Sequence, residues 1–367
     1  MNLATMIILW GLGLGVVLGF VASKTNFCTM GAVSDVVNMG SWGRMRAWIL
    51  AISISIIGTN ILSYLGLLDL SKTIYTGASF PFLTFLVGGL TFGVGMTLAS
   101  GCGNKTLLRI GAGNLKSLVV FVFMGFSAIA TLKGILGAFR VSVLSSPDVT
   151  IQLDHSQTLP SFVAGLGGMD SKTLQLVVAA TIALAMLIFV FKSKEFRHEL
   201  DNNISGIVIG LIIVAAWYIT GHLGYAENPE TMEMTFMGTA SHLAESMSFV
   251  APSAYTLEYL GYWTDTSNVI TFSVASAMGV VVGSFLYALS SKSFRWEYFN
   301  SAKDMGSHII GAILMGFGGI TALGCTIGQG MTGVSTLSLG SFLALVSIIT
   351  GSAITMKIQY YLMMREA

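Results

Sequence analysis

The sequence predicts an all-α polytopic membrane protein of about nine spanning helices plus short broken or re-entrant ones. Three observations carry this reading. Hydrophobic residues make up 54% of the chain and charged residues 10%, where a soluble domain carries about a quarter charged. Mean hydropathy is +0.79. Apolar runs recur from end to end, each close to the roughly 20 residues that carry a helix across a bilayer, and they do not alternate as the strands of a membrane barrel would. The net charge of +1 offers no basic face for nucleic acid.

Residues 1–23 are uncharged and long enough to span. The first positive charge, Lys24, follows the apolar run instead of preceding it, so the segment reads as a retained helix and not a cleaved leader. Residues 26–37 are short and mixed, hold Cys28 and Asp35, and read as a partial-depth or interfacial helix. Arg44 and Arg46 precede a span over about 47–67. After a polar connection at 69–79, Pro81 opens a span, a position where Pro is tolerated. That span ends at Ser100-Gly101-Cys102-Gly103-Asn104. The following stretch, with Lys105, Arg109 and Lys116, reads as too interrupted by Gly for a standard helix.

Residues 117–139 span again, with Lys133 near the far end. Residues 140–172, with Asp148, Asp154 and Asp170, read as an extramembrane loop. Residues 174–191 and 204–220 span, flanking a charge cluster at 192–201. Residues 221–268 form the longest polar region, its charges all acidic, Glu230 and Glu245 among them. A span at 269–289 is followed by Lys292, Arg295 and Lys303, then by the stretch 311–341 and a last span over about 342–362. The chain divides into a first half-repeat, 1–140, a linker loop and connecting span, 141–203, and a second half-repeat, 204–367. Together they make one membrane domain, 1–367. Cytoplasmic loops carry the excess of Lys and Arg. That rule puts the clusters at 192–197 and 292–303 inside and the acidic 221–268 region outside, with the N-terminus out and the C-terminus in.

The stretch 311–341 holds no charge. Gly324-Cys325 sits at what reads as a helix break, followed by Thr326, Gln329, Thr332, Ser335 and Thr336. Gly88, Gly93, Gly95, Gly101 and Cys102 match Gly311, Gly316, Gly318, Gly324 and Cys325 at one constant offset without a gap. A broken membrane helix is tolerated where it is buried in protein or lines a cavity. Paired Gly-interrupted segments in two halves point to a solute site between them. Helix packing through small residues accounts for the glycines, but not for a Cys closing each segment. In the orientation above, the Cys102 span runs inward and the Cys325 span outward, so the two form an inverted repeat.

Three cysteines cannot all pair within one chain, and there is no Cys-x-x-Cys. The five histidines are scattered, with no Cys/His cluster at metal spacing, and nothing calls for a cofactor. A thiol is a weak donor and a soft, polarisable partner, suited to a solute with an exposed sulfur. Weak contacts in series are what conduction requires. Helix starts near Asn104 and Thr326 would add positive potential. Arg109 and Lys116 would draw an anion to the cytoplasmic mouth.

The segments NFCTMGAVSD, GMTLASGCGNKTLLRIGAGNLKSL and GFGGITALGCTIGQGMTGVSTLSLGSFLAL resemble the YeeE/YedE family of bacterial inner-membrane sulfur transporters, whose characterised members take up thiosulfate. The resemblance covers essentially the whole chain. It implies transport and not enzymatic turnover: thiosulfate would enter across the bacterial cell inner membrane along one path per chain. Cys28, Cys102 and Cys325 would pass the ion on through transient S–H···S contacts. Gly101, Gly324, Asn104, Thr326 and Gln329 would lie beside that path, and a TusA-like sulfurtransferase would be the cytoplasmic partner. Two alternatives stay open. One is a carrier for another sulfur or selenium species. The other is a membrane sulfurtransferase forming a Cys persulfide, which wants a His or cation near the thiol; neither Cys102 nor Cys325 has a His close in sequence.

Overall fold

The computed structural model describes residues 2–164, 171–228, 232–265 and 267–366. Asp170 and Glu230 lie outside the described residues. Among those described, eight helical segments are long and apolar enough to cross a membrane. The chain is a multi-pass α-helical membrane protein.

The first helix, α1 (Leu3–Lys24), leads through a turn into α2 (Thr29–Ser34), which widens into a π-type turn at Asp35–Met39. Next comes α3 (Gly43–Tyr64), then α4 (Phe82–Leu98), started by Pro81, the short α5 (Gly103–Gly111) and α6 (Leu115–Leu132). Small pieces follow, α7 (Ile135–Phe139) and α8 (Leu159–Ala164). They are succeeded by α9 (Ser171–Phe191), α10 (Lys194–His198) and α11 (Leu200–Tyr218). The short α12 (Ala251–Gly261) precedes α13 (Phe272–Ser290), α14 (Ala302–Thr321) and α15 (Leu339–Glu366). Two small antiparallel strand pairs complete the chain: Ser79–Phe80 with Ile151–Gln152, and Tyr225–Glu227 with Met234–Phe236.

Inside the bilayer, apolar side chains gain little by leaving lipid, so close backbone approach holds helices together. The α1–α13 pair shows this: Gly15 and Gly19 lie against the Ser276 and Val280 carbonyls, and Gly279 and Gly283 against those of Leu12 and Val16. Helix α4 packs on α14 in the same way. Gly88 faces Gly318 and Ala322, while Gly95 faces Gly311 and Met315. The numbers rise on one helix as they fall on the other, so the two run antiparallel. Gly93 seats α4 on α15, and Gly316 seats α14 on α6. Leu184, Ile188, Phe126 and Leu211 stay exposed on the outside of the bundle, as lipid-facing side chains do.

Several expectations need correcting. The stretch after Cys102 is a regular helix only over α5, Gly103–Gly111; the chain is then interrupted at 112–114, where Gly113 is left-handed (φ 95°), before α6 carries Lys116. The span expected over 117–139 stops at Leu132, where Lys133 caps it and pairs with Glu258. The break expected at Gly324-Cys325 is present, but it is longer than a kink: α14 ends at Thr321, and a buried π-type turn at Gly328–Gly333 follows before α15 begins at Leu339. The 221–268 region is not a free polar loop. Phe236, Ala244, Met247, Phe249, Val250 and Ala254 are buried in the main core, and α12 packs against α6. Its polarity comes from residues at the rim, while the apolar run at 247–254 supplies the burial.

Candidate functional site

Each cysteine stands immediately before a helical turn. The carbonyls of Cys28, Cys102 and Cys325 accept from the amides of Ala32 (2.9 Å), Thr106 (2.9 Å) and Gln329 (2.7 Å). The sulfurs of Cys28 and Cys325 also accept from the amides three residues on, Gly31 and Gly328, at 3.4 Å each. Small polar residues favour this capping position because their side chains satisfy otherwise unpaired amides; here thiols occupy it.

The chain reaches two of these positions by the same backbone device. Helix α4 ends with Ala99 donating to Gly95 and Gly101 donating to Met96; α14 ends with Ala322 donating to Gly318 and Gly324 donating to Gly319. Between them, Ser100 (φ 56°) and Leu323 (φ 60°) both adopt the left-handed conformation that closes a helix. The five-residue Gly/Cys correspondence therefore recurs hydrogen bond by hydrogen bond.

All three thiols are free and buried, at 6%, 1% and 0% exposure. The side chains of Cys28 and Cys102 lie within interaction range of one another, and the Thr326 hydroxyl reaches Cys102 from the next residue to Cys325. Cys28, Cys102 and Thr326 are thus neighbours in space, and Cys325 precedes Thr326 in the chain. In this region Thr29 Oγ1, Thr321 Oγ1, Thr326 Oγ1 and Asn104 Oδ1 are buried without a hydrogen-bond partner. Such atoms are rare in a folded interior and suit a polar solute or water.

A cavity lies near each end of this series. One, of about 300 Å³, is lined by Ser23, Asn26, Lys105 and Arg109, and Lys105 and Arg109 lie within electrostatic reach of Cys28. The other, of about 160 Å³, reaches Leu323 and Gly324 beside Cys325 and carries Arg140 and Glu245 on its wall.

The remaining expected site residues are placed as follows. Gly101 packs on the Lys105 stem. Arg109 donates to the Ser100 carbonyl at 2.9 Å, tying α5 to the break while lining its cavity. Lys116 is turned away from that cavity into a pair with Asp304 at 2.7 Å and lies over the Phe299 ring. Gln329 braces the second break, donating to the Ala322 carbonyl while its own amide binds Cys325.

Sequence reasoning missed Lys105 as a cavity residue, and it missed the segment 247–250. Val250 lies against both Gly103 and Gly319, Ser248 against Gly328, and the Met247 carbonyl takes the Thr332 hydroxyl at 2.8 Å. Pro252 in the first turn of α12 was the available signal for a helix start there.

The sulphur transport (Sulf_transp) family model matches residues 24–354. A thiosulfate transporter, TsuA, of Escherichia coli K12 is 27% identical over 364 residues, covering 94% of this chain and 92% of that protein. A thiosulfate transporter TsuA of Spirochaeta thermophila is 25% identical over 353 residues, covering 93% and 96%. With the match spanning nearly every helix and all three cysteine segments, the chain belongs to the sulphur transport family.

Proposed function

We propose that this protein takes up thiosulfate across the bacterial cell inner membrane, with Cys28, Cys102 and Cys325 as successive soft contacts for the ion. The observation that carries the reading is the grouping of Cys28, Cys102 and Thr326, the residue after Cys325, between one cavity that holds Lys105 and Arg109 and another that holds Arg140. The names of the two relatives support thiosulfate as the solute. A thiol contact of about a hydrogen bond's strength or less holds a sulfur-bearing anion without trapping it. The domain is read as two inverted halves, 1–140 and 204–367, joined by 141–203. Its N-terminus is periplasmic and its C-terminus cytoplasmic, with the Lys105 cavity opening toward a TusA-like sulfurtransferase.

Purified protein in liposomes tests this. It is expected to give saturable flux of labelled thiosulfate that sulfate competes with weakly; flux no greater than in protein-free liposomes would refute it. A second reading rests on Lys105 and Arg109 near Cys28, since sulfur-transfer chemistry calls for a cation beside the thiol. A thiolate could take the outer sulfur of thiosulfate as a persulfide and release sulfite. Intact mass after exposure to thiosulfate separates the two readings: transport predicts an unmodified chain, transfer a sulfur adduct on Cys28.

A further inference from the structure

The cavity beside Gly324 holds a carboxyl that the transport path does not explain. Glu245 is half-buried on its wall, with Oε1 shut off from solvent and unpartnered. Arg140 Nε, on the same wall, is likewise unpartnered. The titratable groups facing Glu245 are few. Tyr75, from the α3–α4 connection, lies within electrostatic reach of both Glu245 and Cys325, and Tyr255 approaches from α12. Helix α13 contributes only the backbone amide of Ser273, and the amide of Ala240 also points at the carboxyl. The other charges of this end are occupied or turned elsewhere. Lys133 pairs with Glu258 and Lys72 binds the Tyr225 hydroxyl, while His242 lines a separate cavity. No ion pair joins Glu245 to a cation among the described residues.

A carboxylate beside the route of a dianion would repel it. A neutral carboxyl there does the opposite, because it donates a hydrogen bond to an anion's oxygen. We propose that Glu245 works as a neutral acid, a hydrogen-bond donor that passes the anion from Arg140 toward Cys325, and that its ionisation closes this mouth to anions. The inference rests on the thiosulfate-uptake reading. Burial pushes the Glu245 carboxyl up to about 8, against the opposing pull of the two backbone amides. The group is therefore neutral below about pH 8 and charged above it.

The test is labelled-thiosulfate uptake into proteoliposomes from about pH 6.5 to about pH 9, for the wild type and for Glu245→Gln, which keeps a neutral donor at every pH. Wild-type uptake is expected to fall by about tenfold per pH unit beyond the carboxyl's midpoint. Glu245→Gln should match the wild type within about twofold at low pH and stay flat. An alkaline fall unchanged in Glu245→Gln overturns the proposal, and so does loss of its uptake at low pH with the protein intact in the bilayer. Infrared titration reads the carboxyl without transport. A protonated-carboxyl band at about pH 7, gone by about pH 9 and missing from Glu245→Gln, supports the proposal; its absence from the wild type at about pH 7 overturns it. Failure of wild-type flux at every pH would instead refute the uptake reading, and the infrared result would still decide the state of Glu245.

Discussion

At the scale of single residues, the three thiols share a position more than an environment. Each ends a break and begins a helical turn, and the sulfurs of Cys28 and Cys325 are also held by a backbone amide. Cys28 has an additional anchor: Asp35, buried at the end of α2, pairs in bidentate fashion with Arg44 at the start of α3, and the guanidinium covers Gly31. Removing one partner of a part-buried pair leaves the other charge uncompensated, at a cost of roughly 1–3 kcal/mol for a pair between the buried and exposed limits. Asp35→Asn is therefore expected to lower the thermal midpoint and to speed maleimide labelling of Cys28 by roughly tenfold through local opening; an unchanged labelling rate would show that the pair does not hold the segment. The cysteines themselves were legible in the sequence because thiols at Gly-rich breaks are unusual for a membrane helix. Lys116 was misplaced because sequence shows a charge but not its partner, and Asp304 lies far along the chain.

At the scale of elements, the glycines do two jobs. At Gly88, Gly95, Gly311 and Gly318 they let α4 and α14 touch, and near Gly101 and Gly324 they accompany a left-handed turn that ends a helix. A Cβ at Gly95 would stand 2.7 Å from the Gly311 carbonyl oxygen and from the Met315 amide. Both are backbone atoms and cannot step aside. Gly95→Leu should destabilise by about 1–3 kcal/mol or more, seen as a lower thermal midpoint in detergent. Gly306, also in α14, has open space around it, so Gly306→Ala should be neutral or stabilising by about 0.5–1 kcal/mol. If the two substitutions behaved alike, close approach would not be what these glycines provide. The pattern at one offset made this pair of helices readable from sequence. Helix α12 was not readable, because its burial comes from only eleven residues set inside an acidic, polar region. Periodicity and length, the usual signals, fail at that size.

At the scale of the whole molecule, the antiparallel α4–α14 contact sets the two breaks at opposite ends of the helix pair, Ala99 beside Gly311 and Ala322 beside Gly88. The proposed path with a narrow middle and two vestibules builds on that arrangement. Composition carried the membrane assignment, and the apolar runs with their lengths located nearly all the spanning helices. The meeting of Cys28 with Cys102, and of Cys102 with Thr326, depends on chain reversals of residue-level size that no hydropathy pattern records. The proposed orientation rests on the basic clusters. A green-fluorescent fusion at the C-terminus should be bright and an alkaline-phosphatase fusion there inactive; the reverse would invert the path. The central claim is that the ion moves by way of the thiols, and uptake of labelled thiosulfate by Cys102→Ala and Cys325→Ala, each at wild-type membrane level, tests it most directly. The account predicts that uptake falls to background in both variants, and retained uptake in both would contradict it.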